Sequence, residues 1–155
     1  MMYRLYREQH LNCDIETAWK FFSSPHNLSE ITPKSMNFLV LSDIQDESIF
    51  EGIEIDYTVS PVLGIPMKWK TVISQVEDYK SFTDFQKEGP YKHWNHFHEF
   101  IPDENGVLMK DTVDYELPLG ILGRVAHRLF VKEKLRSIFD FRYSVLNDLF
   151  NRKHN

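Results

Sequence analysis

The sequence is poor in the residues that build stapled or flexible scaffolds. Cysteine occurs once, as Cys13, which excludes an internal disulfide, a CxxC redox pair and a multi-cysteine zinc cluster. Alanine occurs only as Ala18 and Ala126, and the six glycines are scattered rather than grouped, so no Gly/Ser linker, repeat or low-complexity tract divides the chain. No window approaches the roughly 18 uninterrupted apolar residues of a membrane span, and MMYRLYREQH has no stretch like a signal peptide's. A cytoplasmic protein without stable membrane insertion is expected. An excess of basic charge is also missing. With 18 Lys+Arg against 23 Asp+Glu the net charge is -5, which gives no electrostatic footprint for duplex nucleic acid, and no nucleic-acid partner is expected.

What is present is bulk: 12 Phe, 7 Tyr and 3 Trp in 155 residues. That length supports one domain, residues 1–155, with its own core and no room for a separate cofactor domain. Function must then reside in one site.

Tyr3 to Leu11 reads as a strand from its aromatic content and the turn behind it. Asp14 is an N-cap candidate before Ile15, Ala18, Trp19 and Phe22, a helical spacing that ends at Ser23-Ser24-Pro25. Asn27 to Ile31 supplies a second short helix before Thr32-Pro33. The period then changes to two. Strands are predicted at Asn37 to Ser42, Ser48 to Val59, Met67 to Glu77, Ser81 to Lys87, Lys92 to Ile101 and Val107 to Glu116. Pro61 to Pro66, Gly89-Pro90 and the five residues Pro102 to Gly106 join them as antiparallel neighbours. From Ile121 to Phe150 no proline intervenes, and Val131, Leu135, Ile138, Val145 and Leu149 recur at helical spacing, widened by Phe139, Leu146 and Phe150. The order predicts an α+β fold: one curved antiparallel sheet wrapped around a long C-terminal helix, with two short helices after the first strand. A gap between bent sheet and helix is a natural apolar pocket.

Alternation places Trp94, His96, His98 and Phe100 on one strand face, and Met109, Asp111, Val113 and Tyr115 on a face of the next. A regular hairpin brings Phe100 near Val107 and pairs His98 or His96 with Asp111. Asp84 and Gln86 share a face with Phe82, and Trp69 lies on the strand before. The expected ligand-binding set is therefore Trp69, Asp84, Gln86, Trp94, His96, His98, Phe100, Met109, Asp111 and Tyr115. Two readings of the polar members stay open: they orient a guest, or they satisfy one another and pin strand register. His96 or His98, oriented by Asp111, could also move a proton, but no serine stands in a nucleophile elbow and Cys13 lies at a helix edge. His-x-His with Asp84 or Asp111 resembles part of a zinc site. No further ligand pair stands at a diagnostic spacing, so no metal and no cofactor are assigned.

The stretch Phe82, Asp84, Gln86, Gly89, Pro90, Tyr91, Trp94, His96, His98, Phe100 and its continuation Met109, Asp111, Val113, Tyr115, Pro118, Gly120 resemble a ligand-binding bacterial group of the START/Bet v 1-like superfamily (SRPBCC, polyketide cyclase-like). The resemblance spans nearly the whole chain. It implies a helix-grip fold with a deep cavity for a lipid, polyketide or aromatic type of guest; the expected assembly is a monomer or homodimer. The superfamily also holds cyclases and other enzymes. No residue set here matches one of their active sites, so a cyclase/dehydratase or hydrolase-like activity stands as the alternative to binding of a small hydrophobic ligand.

Overall fold

The computed structural model describes residues 1–44 and 48–152. Seven antiparallel strands form one sheet in the order β1-β7-β6-β5-β4-β3-β2: β1 Tyr3–Leu11, β2 Leu39–Val40, β3 Glu54–Val59, β4 Met67–Glu77, β5 Ser81–Glu88, β6 His93–Asp103 and β7 Gly106–Glu116. Between β1 and β2 lies α1, Ile15–Phe22, capped by the Asp14 carboxylate, which accepts from Thr17 N at 2.7 Å. Its buried side chains are Ala18 and Trp19. The second short helix is not α-helical. It is two single turns of tighter pitch, Pro25–Ser29 and Lys34–Met36, too short to bury a full helical face.

The C-terminal element starts as α2, Gly120–Ala126, widens through one π-helical turn, His127–Val131, and continues as α3, Lys132–Phe150. Every residue at the two junctions keeps right-handed helical dihedrals, so the three pieces run on as one long helix. Leu135, Phe139, Arg142 and Leu146 are its buried face on the α3 part. Gly123 permits the close start. A Cβ there would stand 2.1 Å from the Pro118 carbonyl oxygen, which only a bare Cα tolerates.

Several boundaries differ from the periodicity. Asn37 to Ser42 shrinks to the two residues Leu39–Val40, and the strand read from Ser48 begins at Glu54, because Gly52 turns the chain at φ 91°. The β6–β7 hairpin is tighter than expected. Asp103 pairs with Gly106 and only Glu104-Asn105 form the loop, so Phe100 faces Met109 rather than Val107. Pro102 is accommodated opposite Val107, inside the strand.

The core has two centres. One joins α1 to the β6–β7 end of the sheet through Leu11, Trp19, Phe82, Phe100, Val107, Met109 and Leu146. The other joins α3 to Leu5, Trp94, Val113 and Tyr115. Apart from these centres and the Arg142–Asp111 contact, the concave face and the helix stand apart.

Candidate functional site

That separation leaves an open cavity of about 1120 Å³. The sheet contributes Ile55, Tyr57, Trp69, Thr71, Ile73, Phe82, Trp94, His96 and His98, and the helix contributes Leu135, Ile138, Phe139 and Arg142. Phe22, Leu28, Ile31 and Met36 close the third side. The mouth lies between the β3–β4 loop and the start of the long helix. Its rim is apolar yet exposed: Val62 and Leu63 on the loop, Leu119, Leu122, Leu129 and Phe130 on the helix. Contiguous exposed apolar groups of this kind are uncommon on protein surfaces.

Five of the ten expected residues line the cavity: Trp69, Asp84, Trp94, His96 and His98. The other five lie elsewhere, each for a local reason. Phe100 is covered by α1, edge-on to Trp19 at 5.8 Å. Met109, opposite it on β7, is sealed in the same core. The Gln86 amide donates to Tyr91 O at 2.8 Å and accepts from Tyr91 N at 3.2 Å, tying down the β5–β6 turn. The Tyr115 hydroxyl is 2.9 Å from His127 Nε2, whose ring stacks on Tyr3 at 3.5 Å. Asp111 sits behind the histidines, roofed by Arg142.

Strand register explains the polar cluster. Asp84 on β5 is opposite His96 on β6, and His98 is opposite Asp111 on β7. The His96 and His98 rings lie 3.7 Å apart, and a carboxylate flanks them on each side. On the cavity side, Asp84 Oδ2 is 2.6 Å from His98 Nε2 and 3.6 Å from His96 Nδ1. On the far side, Asp111 Oδ1 is 2.9 Å from His96 Nε2 and 3.1 Å from His98 Nδ1. The first of these is a hydrogen bond; the second lies within ion-pair range but out of alignment, leaving His98 Nδ1 without a hydrogen bond. Arg142 Nη2 reaches the same Asp111 oxygen at 3.2 Å while its guanidinium lies over Phe22 and Phe139.

Charge follows from this geometry. Burial alone would raise the Asp111 carboxyl, but the Arg142 guanidinium, the His96 hydrogen bond and the adjacent His98 ring hold it well below the usual carboxylate range. Asp84, also opposed by burial, is lowered by the neighbouring imidazoles and Arg142. His96 is pushed down by burial and then by His98. His98, despite burial, is held up by the Asp111 and Asp84 carboxylates on either side of it. The cluster therefore holds two carboxylates, one guanidinium and a histidine poised to carry the balancing charge.

Arg142 escaped the sequence reading. It occupies the slot three residues after Phe139 and four before Leu146, on the apolar stripe itself. A charge in that slot, facing a sheet that carries a buried Asp111, is the signal that identifies it.

No family model matches the chain, and no curated protein matches it. Solved structures do match over nearly all of it. The protein TTHA0849 of Thermus thermophilus is 17% identical with a TM-score of 0.70, covering 94% of this chain and 95% of that one. The major latex-like protein 151 of Panax ginseng is 17% identical with a TM-score of 0.60, covering 92% and 96%. A norcoclaurine synthase from Thalictrum, solved as a point mutant with a transition-state analogue, is 14% identical with a TM-score of 0.64, covering 96% of each chain. With its seven-stranded curved sheet closed around one long terminal helix, the chain has the helix-grip fold of the START/Bet v 1-like superfamily.

Proposed function

We propose that the protein binds a small hydrophobic or amphipathic molecule, of lipid, polyketide or aromatic type, in the cavity between sheet and C-terminal helix. The observation that carries this reading is the cavity itself, whose volume of about 1120 Å³ is walled by aliphatic and aromatic side chains with one polar cluster on the sheet side. Trp69 and Trp94 supply flat apolar surface, and Asp84, His96 and His98 fix the polar end of the guest. The exposed apolar rim at Leu63, Leu122 and Phe130 is the route by which such a molecule enters. Among the described residues no helix is long and apolar enough to cross a membrane, and the reading is of a cytoplasmic carrier or sensor, monomeric or homodimeric.

The test uses an apolar fluorescent probe, anilinonaphthalene sulfonate, together with native mass spectrometry of freshly purified protein. One probe, or one co-purified molecule, is expected per chain. Ile138 lines the cavity from the helix, and Ile138→Trp directs added bulk into the void; it should weaken probe binding at least tenfold while leaving the unfolding midpoint nearly unchanged. Probe affinity equal in Ile138→Trp and wild type removes the cavity from the account.

A second reading rests on the two adjacent imidazoles at the cavity wall, one with its pKa lowered and one raised. Such a pair suits proton transfer to and from a bound molecule in a cyclase, dehydratase or hydrolase-like reaction. The Thalictrum enzyme shares the fold. His98→Gln separates the readings: in a binder it weakens affinity, whereas in an enzyme it leaves affinity nearly intact and depresses turnover.

A further inference from the structure

We propose that Asp84, His96 and His98 form a site for a divalent transition-metal ion on the polar wall of the cavity. The three residues each present one donor atom, and those atoms lie within 4.8 Å of one another. Twelve residues separate Asp84 from His96 in sequence, but the β5–β6 register sets them directly opposite. Two imidazoles and a carboxylate are a donor set suited to zinc, iron(II) or cobalt(II), and poorly matched to calcium or magnesium.

The second observation is what stands behind the donors. Metal-bound imidazoles commonly give their other ring N–H to a carboxylate, which fixes tautomer and orientation. Here His96 has that arrangement, and His98 holds its Nδ1 within ion-pair range of the same oxygen but out of alignment for a hydrogen bond. His96 and His98 turn one nitrogen toward Asp84 and the other toward the same Asp111 oxygen, at 2.9 and 3.1 Å. Arg142 anchors that oxygen from the helix at 3.2 Å. A metal takes the place of the proton that His98 Nε2 otherwise shares with Asp84 at 2.6 Å; with N–H then on the Asp111 side, both nitrogens facing Asp84 turn lone pairs toward the same point as its carboxylate oxygen. Only a positive charge suits that meeting point.

Distances and charge agree. Bonds of about 2.0–2.2 Å from a metal to nitrogen and oxygen place cis donors roughly 3–3.5 Å apart. His96 Nδ1 and Asp84 Oδ2 stand at 3.6 Å, and the His98–Asp84 contact of 2.6 Å has to open by a few tenths of an ångström. Two carboxylates against one guanidinium leave one negative charge uncompensated while the rings are neutral. Asp84 remains 21% exposed, toward the cavity, so the remaining coordination positions open onto the space where a guest would sit. The competing occupant is a proton on His98, and the experiment separates the two.

Protein dialysed against EDTA is titrated with cobalt(II), read by visible absorption, and with zinc(II), read by calorimetry. One ion per chain is expected. Asp84→Asn should lower the affinity at least a hundredfold, and Asp111→Asn, which acts through the rings, roughly 10–100-fold. His10→Gln, at a half-buried histidine paired with Asp103 outside the cavity, should leave it unchanged. Should the variants fold poorly, cobalt(II) in the wild-type chain must still perturb the ring proton resonances of His96 and His98 before those of His10, His26 and His93. Absence of saturable uptake, or an order in which His96 and His98 respond last, overturns the proposal and leaves a proton as the resident cation. Probe binding is measured on the same metal-free samples. Binding retained without metal uptake leaves the cavity reading standing, whereas uptake without probe binding removes only that reading.

Discussion

Replacing Arg142 with methionine tests whether the helix and the sheet are joined by a charge. The residue is 6% exposed, its Nη2 bonds Asp111 Oδ1 at 3.2 Å, and Asp111 is equally buried. Methionine keeps most of the packing against Phe22 and Phe139 while removing the cation. Asp111 is then left as a buried carboxylate without its strongest compensating charge, a situation that costs about 3–5 kcal/mol. For a chain of this length that corresponds to a fall in Tm of roughly 10 °C. Urea titration followed by circular dichroism, in EDTA-dialysed protein, measures it. Arg142→Met, Asp111→Asn and the double variant complete a cycle in which the pair should couple by at least about 2 kcal/mol, because the double variant leaves no buried charge unpaired. The pH dependence carries a sign. The folded Asp111 carboxyl lies below its unfolded value, so its contribution is complete above about pH 3.9 and is lost as pH falls through the folded value. In Arg142→Met the carboxyl takes up a proton more readily, so the gap between variant and wild type is full at pH 7 and narrows on acidification. A cost under 1 kcal/mol, or additive single and double variants, refutes the reasoning.

Two further outcomes are expected. Gly123→Ala places a Cβ 2.1 Å from the Pro118 carbonyl oxygen and should destabilise the chain by about 1–3 kcal/mol in urea titration; an unchanged midpoint would show that the start of the helix can move freely. His127 is pushed below the ordinary histidine value by burial and then by Lys132, so the folded chain resists its protonation. Its contribution is intact above about pH 6.5 and is lost as pH falls through the folded value. Amide protection factors across 127–131, corrected for the intrinsic pH dependence of exchange, should therefore fall between pH 7.5 and 5.5, and His127→Gln should flatten that dependence. The same dependence in His127→Gln would trace it to another group.

The long strands were legible from alternation, from aromatic content in β1 and from the turns between them: β1 and β4 keep the predicted bounds, and β5, β6 and β7 shift by at most two residues at an end. The short pieces were not. Leu39–Val40 is fixed by its pairing with Thr58 and Tyr57 on β3, a tertiary contact with no local signature. The π-helical turn at His127–Val131 interrupts a sequence whose spacing reads as ordinary helix, and is held in part by the contacts His127 makes with Tyr3 on β1 and Tyr115 on β7. At the site, alternation brought His96, His98 and Asp111 together correctly. It could not separate residues facing the cavity from residues facing the same core under α1, because Phe100 and Trp94 alternate identically and differ only in what covers them.

The two readings of the buried polar residues, strand pinning and guest contact, divide between the two carboxylates. Asp111 is enclosed by both imidazoles and Arg142, does not line the cavity, and holds sheet to helix. Asp84 lines the cavity, is 21% exposed, and among the described residues has the two histidine edges as its partners. Removing charge at the two positions must then have opposite signatures. Asp111→Asn leaves a buried guanidinium unpaired and should lower stability by about 3–5 kcal/mol. Asp84→Asn keeps an acceptor beside His98 and exposes its new amide to the cavity, so it should cost about 1 kcal/mol or less while abolishing recognition of a cationic or hydrogen-bonding guest. Equal losses of stability at both positions would mean that the cluster is a single structural unit, and the polar end of the guest would have to be sought elsewhere on the cavity wall.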